Sequence, residues 1–494
     1  MNLEYANGQT GDTGHFVHYS YSVRLILILL KLSLGALLKV ERIRFFTPAT
    51  QIKLTVMKNT SALALIVSLA IWNFACKEDD EKVDPVTASL VETLNQELVH
   101  LTPDPGQWID DQLHFLDAVS DHTIVGLGEA THGTSEFFKA KHEILKYLVE
   151  HHGFRIFAIE ADFGESIFIN QAVLKSDKSQ IESLMKTKMH FWTWRTMEVR
   201  DLLYWMCDYN LGKAESEKVQ YWGVDCQFNT YHPDMVIDNL EASSVPFISF
   251  AEGILNEASA ASKNRFLSYT QTSFDTYIEK IDALKDSVAK YEADITDAGL
   301  TLQLVDVIAQ VSEVIYYARD NNVAQKNYRD EYMAKNTGWL HDYFNDAKIV
   351  LWAHNYHVSD YGADAYSSMG HHLKTAFPGD YTTVGFLFSK GFFTAISQSG
   401  DQFQGLNMQT LDDDPKLGSI NDVMSKAEAA AFTVAVSDLR NHDEWTQAFD
   451  DGIEFFQMGA VYNNTPLNYY SEFNVDFFDR LIYFDRTTAS VQLK

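Results

Sequence analysis

The chain has 494 residues, with 39 Lys+Arg against 68 Asp+Glu and a formal net charge of −29. At 46% hydrophobic and 22% charged it has the composition of a folded globular protein, and so acidic a balance excludes a general nucleic-acid binder, which needs a basic face to meet phosphates. Three cysteines make no disulfide framework, so burial must hold the core.

The first 76 residues differ from the rest, with seven Lys/Arg against three Asp/Glu. From Met57 the chain reads MKNTSALALIVSLAIWNFAC and then KEDDEK. One lysine, a short apolar run and small residues before Cys76 are the layout of a secretory signal, and the run is short for a membrane span. The expected organisation is an upstream extension that is not part of the natural chain (1–56), a lipoprotein-type signal (57–76) ending at the lipidated Cys76, an acidic tether (77–90) and one catalytic domain (91–494). That address is the bacterial cell envelope outside the cytoplasmic membrane, with Cys76 as the one membrane contact. A membrane helix around residues 22–40 is the competing reading of the front end.

Within 91–494, short apolar runs alternate with helical patterns, the signature of an α/β domain with a mainly parallel sheet flanked by helices. Strands are expected at Thr123–Gly128, Arg155–Glu160, Tyr221–Asp225, Lys348–Ala353 and Thr382–Phe388, each apolar enough to be covered on both faces. Helices are expected at Ser135–His151, capped by Thr134-Ser135 and stopped at Gly153, and at Met197–Tyr209. Residues 234–342 read as a helical insertion forming a subdomain or cap.

Polar residues collect where these strands end: Glu129 and His132 after the first, Glu160 and Asp162 after the second, Asp225 after the third, His354 and His357 after the fourth. Ligands of open α/β sheets bind at the carboxyl ends of strands. One strand-terminal Asp is more often a helix cap than a catalyst, but four such ends together point to a shared site. Gly126-Leu127-Gly128-Glu129-Ala130-Thr131 misses G-x-G-x-x-G at its last glycine and sets an acid where a pyrophosphate would lie. No G-x-S-x-G elbow, H-E-x-x-H motif or Cys–His zinc spacing is present. Histidine and carboxylate remain, a set suited to activating water. A zinc site from His132, His354, His357 and a Glu stays open as a metal-dependent alternative, and a non-catalytic binding lipoprotein as another. Trp192 and Trp194, in HFWTWR, are candidate walls for a bulky apolar or sugar ligand; Arg329, before a helix, is a candidate anion or carbonyl clamp.

The segments GLGEATHGTSEFFKAKHEIL (126–145), GFRIFAIEAD (153–162), WTWRTMEVRDLLYWMCDYN (192–210), YWGVDCQ (221–227), RDEYMAKNTGWL (329–340) and KIVLWAHNYHV (348–358) resemble the erythromycin esterase family, in that order, and FFDRLIYFDRTTAS (477–490) resembles its final strand region. The resemblance spans about residues 90–490. It implies an α/β fold with an added helical region and a deep cleft, and hydrolysis of an ester or lactone, macrolide lactones being one class within the family, without metal or other cofactor. On the matching positions it implies His132 as general base, Glu129 and Glu160 orienting or polarising it, and His354 and His357 polarising the carbonyl or stabilising the oxyanion. Lys141 falls on a position that is basic in the family, often arginine, and Arg329 where the family has an arginine near the site; these two, with Asp225 from its strand end, are expected to bind substrate.

Overall fold

A computed structural model describes residues 84–319, 322–363 and 366–494, with backbone alone over 322–326. The upstream extension, the signal and Cys76 lie outside the described residues. The tether expected to reach residue 90 gives way earlier, to a helix over Pro85–Glu97. Asp84 caps it by accepting from the Thr87 N–H, Pro85 occupies its first turn, and Leu90 and Leu94 are buried.

The centre is a ten-stranded sheet. In chain order its strands are β1 (Val99–His100), β2 (Ile124–Leu127), β3 (Ile156–Asp162), β4 (Gln220–Asp225), β5 (Ile349–Trp352), β6 (Tyr381–Ser399), β7 (Gln402–Leu411), β8 (Ala431–Ala435), β9 (Val461–Tyr462) and β10 (Arg480–Thr487). Across the sheet the order is β1-β8-β10-β6-β2-β5-β3-β4. The run from β10 to β4 is parallel, β1 and β8 add an antiparallel edge, and β7 and β9 pair with the far half of β6. All five expected strands are present.

Their continuous apolar character has the expected cause. In β5, Ile349 and Leu351 enter the core on one face while Val350 and Trp352 enter the other, and in β3 Ile156 and Ala158 oppose Phe157 and Ile159. On one side lies the helix Ser135–His152, closed by Gly153 at φ 75°. Its expected hydroxyl caps act elsewhere: Thr134 bonds to the Thr131 hydroxyl and Ser135 to Glu198. On the other side, between β4 and β5, lie five helices: His232–Ala242, Ile248–Lys263, Gln271–Lys290, Ala298–Ala318 and Asn322–Tyr343. Val236, Leu255, Ile281, Val307 and Val311 from four of them share a core with Trp222, Val224 and Leu351, so the insertion is packed into the body of the domain.

β6 runs well past the expected Phe388. β2 pairs with it only as far as Leu127–Val384, so residues 391–399, paired with β7, form an arm beyond the carboxyl end of β2. Where β2 stops, Asn355 continues the ladder: its Oδ1 accepts from Phe386 N (3.1 Å) and its Nδ2 donates to Phe386 O (2.9 Å). Asn355→Ala leaves both buried groups without these partners. We expect a loss of about 2–4 kcal/mol in urea unfolding, with an unchanged denaturant slope.

Candidate active site

Beyond β2 the chain turns through Gly128–Thr134, which carries Glu129 and His132. Gly128 is required by packing, since a Cβ there would lie 2.0 Å from Asn355 Oδ1. Glu129 is fully buried. Its Oε1 holds His132 Nδ1 at 2.7 Å; its Oε2 accepts from Lys141 Nζ (2.7 Å) and Trp352 Nε1 (2.6 Å). Burial pushes the Glu129 carboxyl up, but the Lys141 ammonium and His132 outweigh it and hold it below the usual range. Lys141, expected to contact substrate, is itself fully buried and lies 4.3 Å over the Trp352 ring. Burial pulls its ammonium down to about 8, with Glu129 opposing. Lys141 therefore stands behind Glu129, away from any substrate.

Glu160 projects from β3 into the same region. Its Oε2 accepts from His354 N (3.0 Å) and its Oε1 from Arg329 Nη2 (2.7 Å). Burial raises the Glu160 carboxyl, but His357, Arg329 and His132 bring it well below the usual range. Arg329 and Asp330 lie inside the helix Asn322–Tyr343, which begins about two turns before Arg329 and not after it as expected. The Arg329 fork grips Asp225 with Nε and Nη2, both at 2.9 Å. Asp225, expected to bind substrate, is fully buried under that grip and also accepts from Cys226 N and Gln227 Nε2.

The two histidines after β5 differ. His354 caps the short turn Asn355–Val358 by accepting from Tyr356 N at Nδ1 (3.1 Å), which leaves Nε2–H to donate to Met458 O (3.2 Å). Burial, with His132 and His357, pulls it down to about 3, so it is neutral and both nitrogens are engaged. Its ring centre lies 5.0 Å from that of His132. His357 sets Nδ1 on Asp330 (2.7 Å), with Nε2 3.1 Å from Arg329 Nη1 and 3.3 Å from Glu160. Burial opposes its charge, but Asp330 and Glu160 win and raise it. A neutral ring accepts from Arg329; a protonated one turns its Nε2–H to Glu160.

Trp194 is buried, donates Nε1 to Glu160 O (2.8 Å) and stands edge-on to His132 at 6.5 Å. It therefore backs the site, while Trp192 is half-buried in the same single turn. Asp162 takes the capping role, accepting from Gly164 N and Glu165 N at the start of Phe163–Leu174. Cys207 and Cys226 are buried free thiols.

Among the charged and imidazole groups gathered here, His132, His357 and Arg329 keep some solvent exposure, 13–14% each. Among the described residues, His132 Nε2 has no hydrogen-bond partner. The donor set does not fit the tetrahedral zinc alternative, because His354 and His357 use both ring nitrogens and His132 leaves one. Among the described residues, the trio whose ligand atoms converge is His341, Asp342 and Asp346, half-exposed or exposed before the start of β5. Sequence reasoning missed Trp352, seen only as a strand residue, and the segment Gln457–Ala460, whose Met458 N donates to Ala130 O (2.7 Å) and whose Met458 O receives His354. That segment has no charged residue to draw attention to it.

The profile of the erythromycin esterase family matches residues 149–487. An erythromycin esterase type II of Escherichia coli is 26% identical over 388 residues, covering 71% of this chain and 88% of that protein. Among solved structures, a Bacillus cereus protein superposes with a TM-score of 0.72 at 21% identity, covering 83% of this chain and 99% of its own. A mutant of the erythromycin esterase EreC in its open conformation gives 0.59 at 17%, covering 79% and 97%. The chain belongs to the erythromycin esterase family and has its α/β fold, with the hydrolysis of ester or lactone bonds as the family-level activity.

Proposed function

We propose that this chain hydrolyses an ester or lactone through a water activated by His132. The observation that carries the reading is the 2.7 Å bond from His132 Nδ1 to a buried Glu129, which leaves Nε2 unpaired on a side chain 14% exposed. Glu129 fixes the tautomer with the proton on Nδ1, so the Nε2 lone pair faces outward. A water there gives its proton to Nε2 as its oxygen attacks the carbonyl carbon, and Glu129 stabilises the imidazolium that forms. The same Nε2–H then protonates the departing alkoxide, which restores the neutral ring and releases acid and alcohol. Arg329, with His357 when it is protonated, is the part-exposed cationic group we assign to the oxyanion. His354 holds Met458 and Glu160 in place. Lys141, Asp225, Trp194 and Trp352 are positioning residues. The substrate is an ester or lactone of a small molecule.

His132→Ala is expected to lower kcat on 4-nitrophenyl acetate by about 10²–10⁴-fold, with a wild-type circular dichroism spectrum. Wild-type turnover in that variant would sink the mechanism.

The acid limit follows from the two lowered carboxyls. Glu129 and Glu160 titrate lower folded than unfolded, so at acid pH the unfolded chain binds more protons. Their stabilisation is fully present above the unfolded value of about 4.3 and is lost as pH falls through the folded values. Stability should fall steeply below about pH 4, and Glu160→Gln, already lacking that charge, should show a shallower fall in acid titrations of unfolding.

The Met57–Cys76 pattern supports export with a lipid on Cys76. Radiolabelled palmitate fed to expressing cells should enter the wild-type chain and not Cys76→Ala; equal labelling removes the anchor.

A further inference from the structure

We infer that Gly459 is a specificity-determining residue: by carrying no side chain it keeps open the space in front of His132 Nε2, so that esters with a bulky group beside the scissile carbonyl reach the base. The inference rests on the proposed role of His132 and adds the substrate class to it.

Most glycines near the site are there because the backbone leaves no room. A Cβ on Gly133 would lie 2.0 Å from Thr394 O, and one on Gly128 equally close to Asn355. Gly459 is different. Its φ lies outside the left-handed region, and the nearest atoms a Cβ would meet are His132 Nε2 at 3.9 Å and Cδ2 at 4.0 Å, ordinary contact distances. Neither strain nor crowding calls for glycine here, and glycine costs the folded chain more backbone entropy than alanine does. What the missing side chain leaves clear is the outer edge of the imidazole.

That space is where the reaction takes place. A water on Nε2 lies about 2.6–3.2 Å away, and the carbonyl carbon it attacks lies about 3–3.5 Å further on. A methyl group 3.9 Å from Nε2 borders that path, and the branches of a valine would reach into it. The segment cannot easily swing aside. Met458 is tied by its N–H to Ala130 O and by its carbonyl to His354, and Ala460 O accepts from Ile396 N at 2.9 Å. Ile396 belongs to the arm formed by β6 and β7, where residues 391–411 carry a single charge, Asp401. The wall beside Gly459 is therefore rigid and uncharged, and it selects by shape.

The test compares wild type, Gly459→Ala, Gly459→Val and His132→Ala on 4-nitrophenyl acetate and 4-nitrophenyl isobutyrate, with a melting temperature for each. We expect Gly459→Ala to melt no lower than wild type. Its kcat/KM on the isobutyrate should fall about tenfold, more in Gly459→Val, with a smaller loss on the acetate, so the acetate preference rises from Gly to Ala to Val. A preference unchanged across the three overturns the inference even when His132→Ala is inactive. A shifted preference with a fully active His132→Ala overturns the base and leaves the wall. Wild type that cleaves neither ester overturns both.

Discussion

The site depends on one buried carboxylate. Taking the Glu129 carboxyl out of water costs several kcal/mol unless each oxygen is met by a donor, and here His132 serves one oxygen while Lys141 and Trp352 serve the other. Each donor comes from a different element: the turn after β2, the flanking helix and the end of β5. Satisfying Glu129 therefore locks the sheet, the helix and the catalytic turn into one arrangement, and the orientation of His132 follows from it. A fully buried lysine on this helix, beside the buried Phe137 and Phe138, makes sense only with this partner.

The same rule explains how a chain with a net charge of −29 buries several acids at one end of its sheet. Glu160 and Asp225 share the Arg329 fork, and Asp330 holds His357. These acids find their partners within the protein, which gives a polar floor tied together by its own hydrogen bonds. His354 joins the two halves through Glu160 on its backbone and Met458 on its ring.

The sheet was legible because its central strands are buried on both faces, and continuous apolar runs ending in acids or histidines stand out in a soluble chain. The helix Ser135–His152 was legible to within a residue by its period and by Gly153. Residue roles were harder to read. Lys141 and Asp225 were expected to reach for a ligand, yet burial turns both toward internal partners, Lys141 toward Glu129 12 residues back and Asp225 toward an arginine 104 residues on. His354 and His357 have the same residue type and almost the same position, but a cap and a backbone carbonyl take up one while two acids hold the other. The extension of β6 into an arm was missed because its far half pairs with β7 and lies outside the doubly covered part of the sheet.

The segment Gln457–Ala460 shows why the rest stayed hidden. It acts through its backbone, the Met458 N–H and carbonyl, and through the absence of a side chain at Gly459. Backbone groups are the same in every residue, so no composition or motif marks them. In the mechanism we propose, His132 Nε2 supplies the reactivity and the uncharged wall around it would set which molecules come close. Such a site would separate substrates mainly by the bulk near the reacting bond, with the part-exposed edges of Arg329 and His357 left to meet the carbonyl oxygen. On that reading, changes confined to Gln457–Ala460 and to the arm would alter the substrate range and leave the sheet and its buried charges untouched.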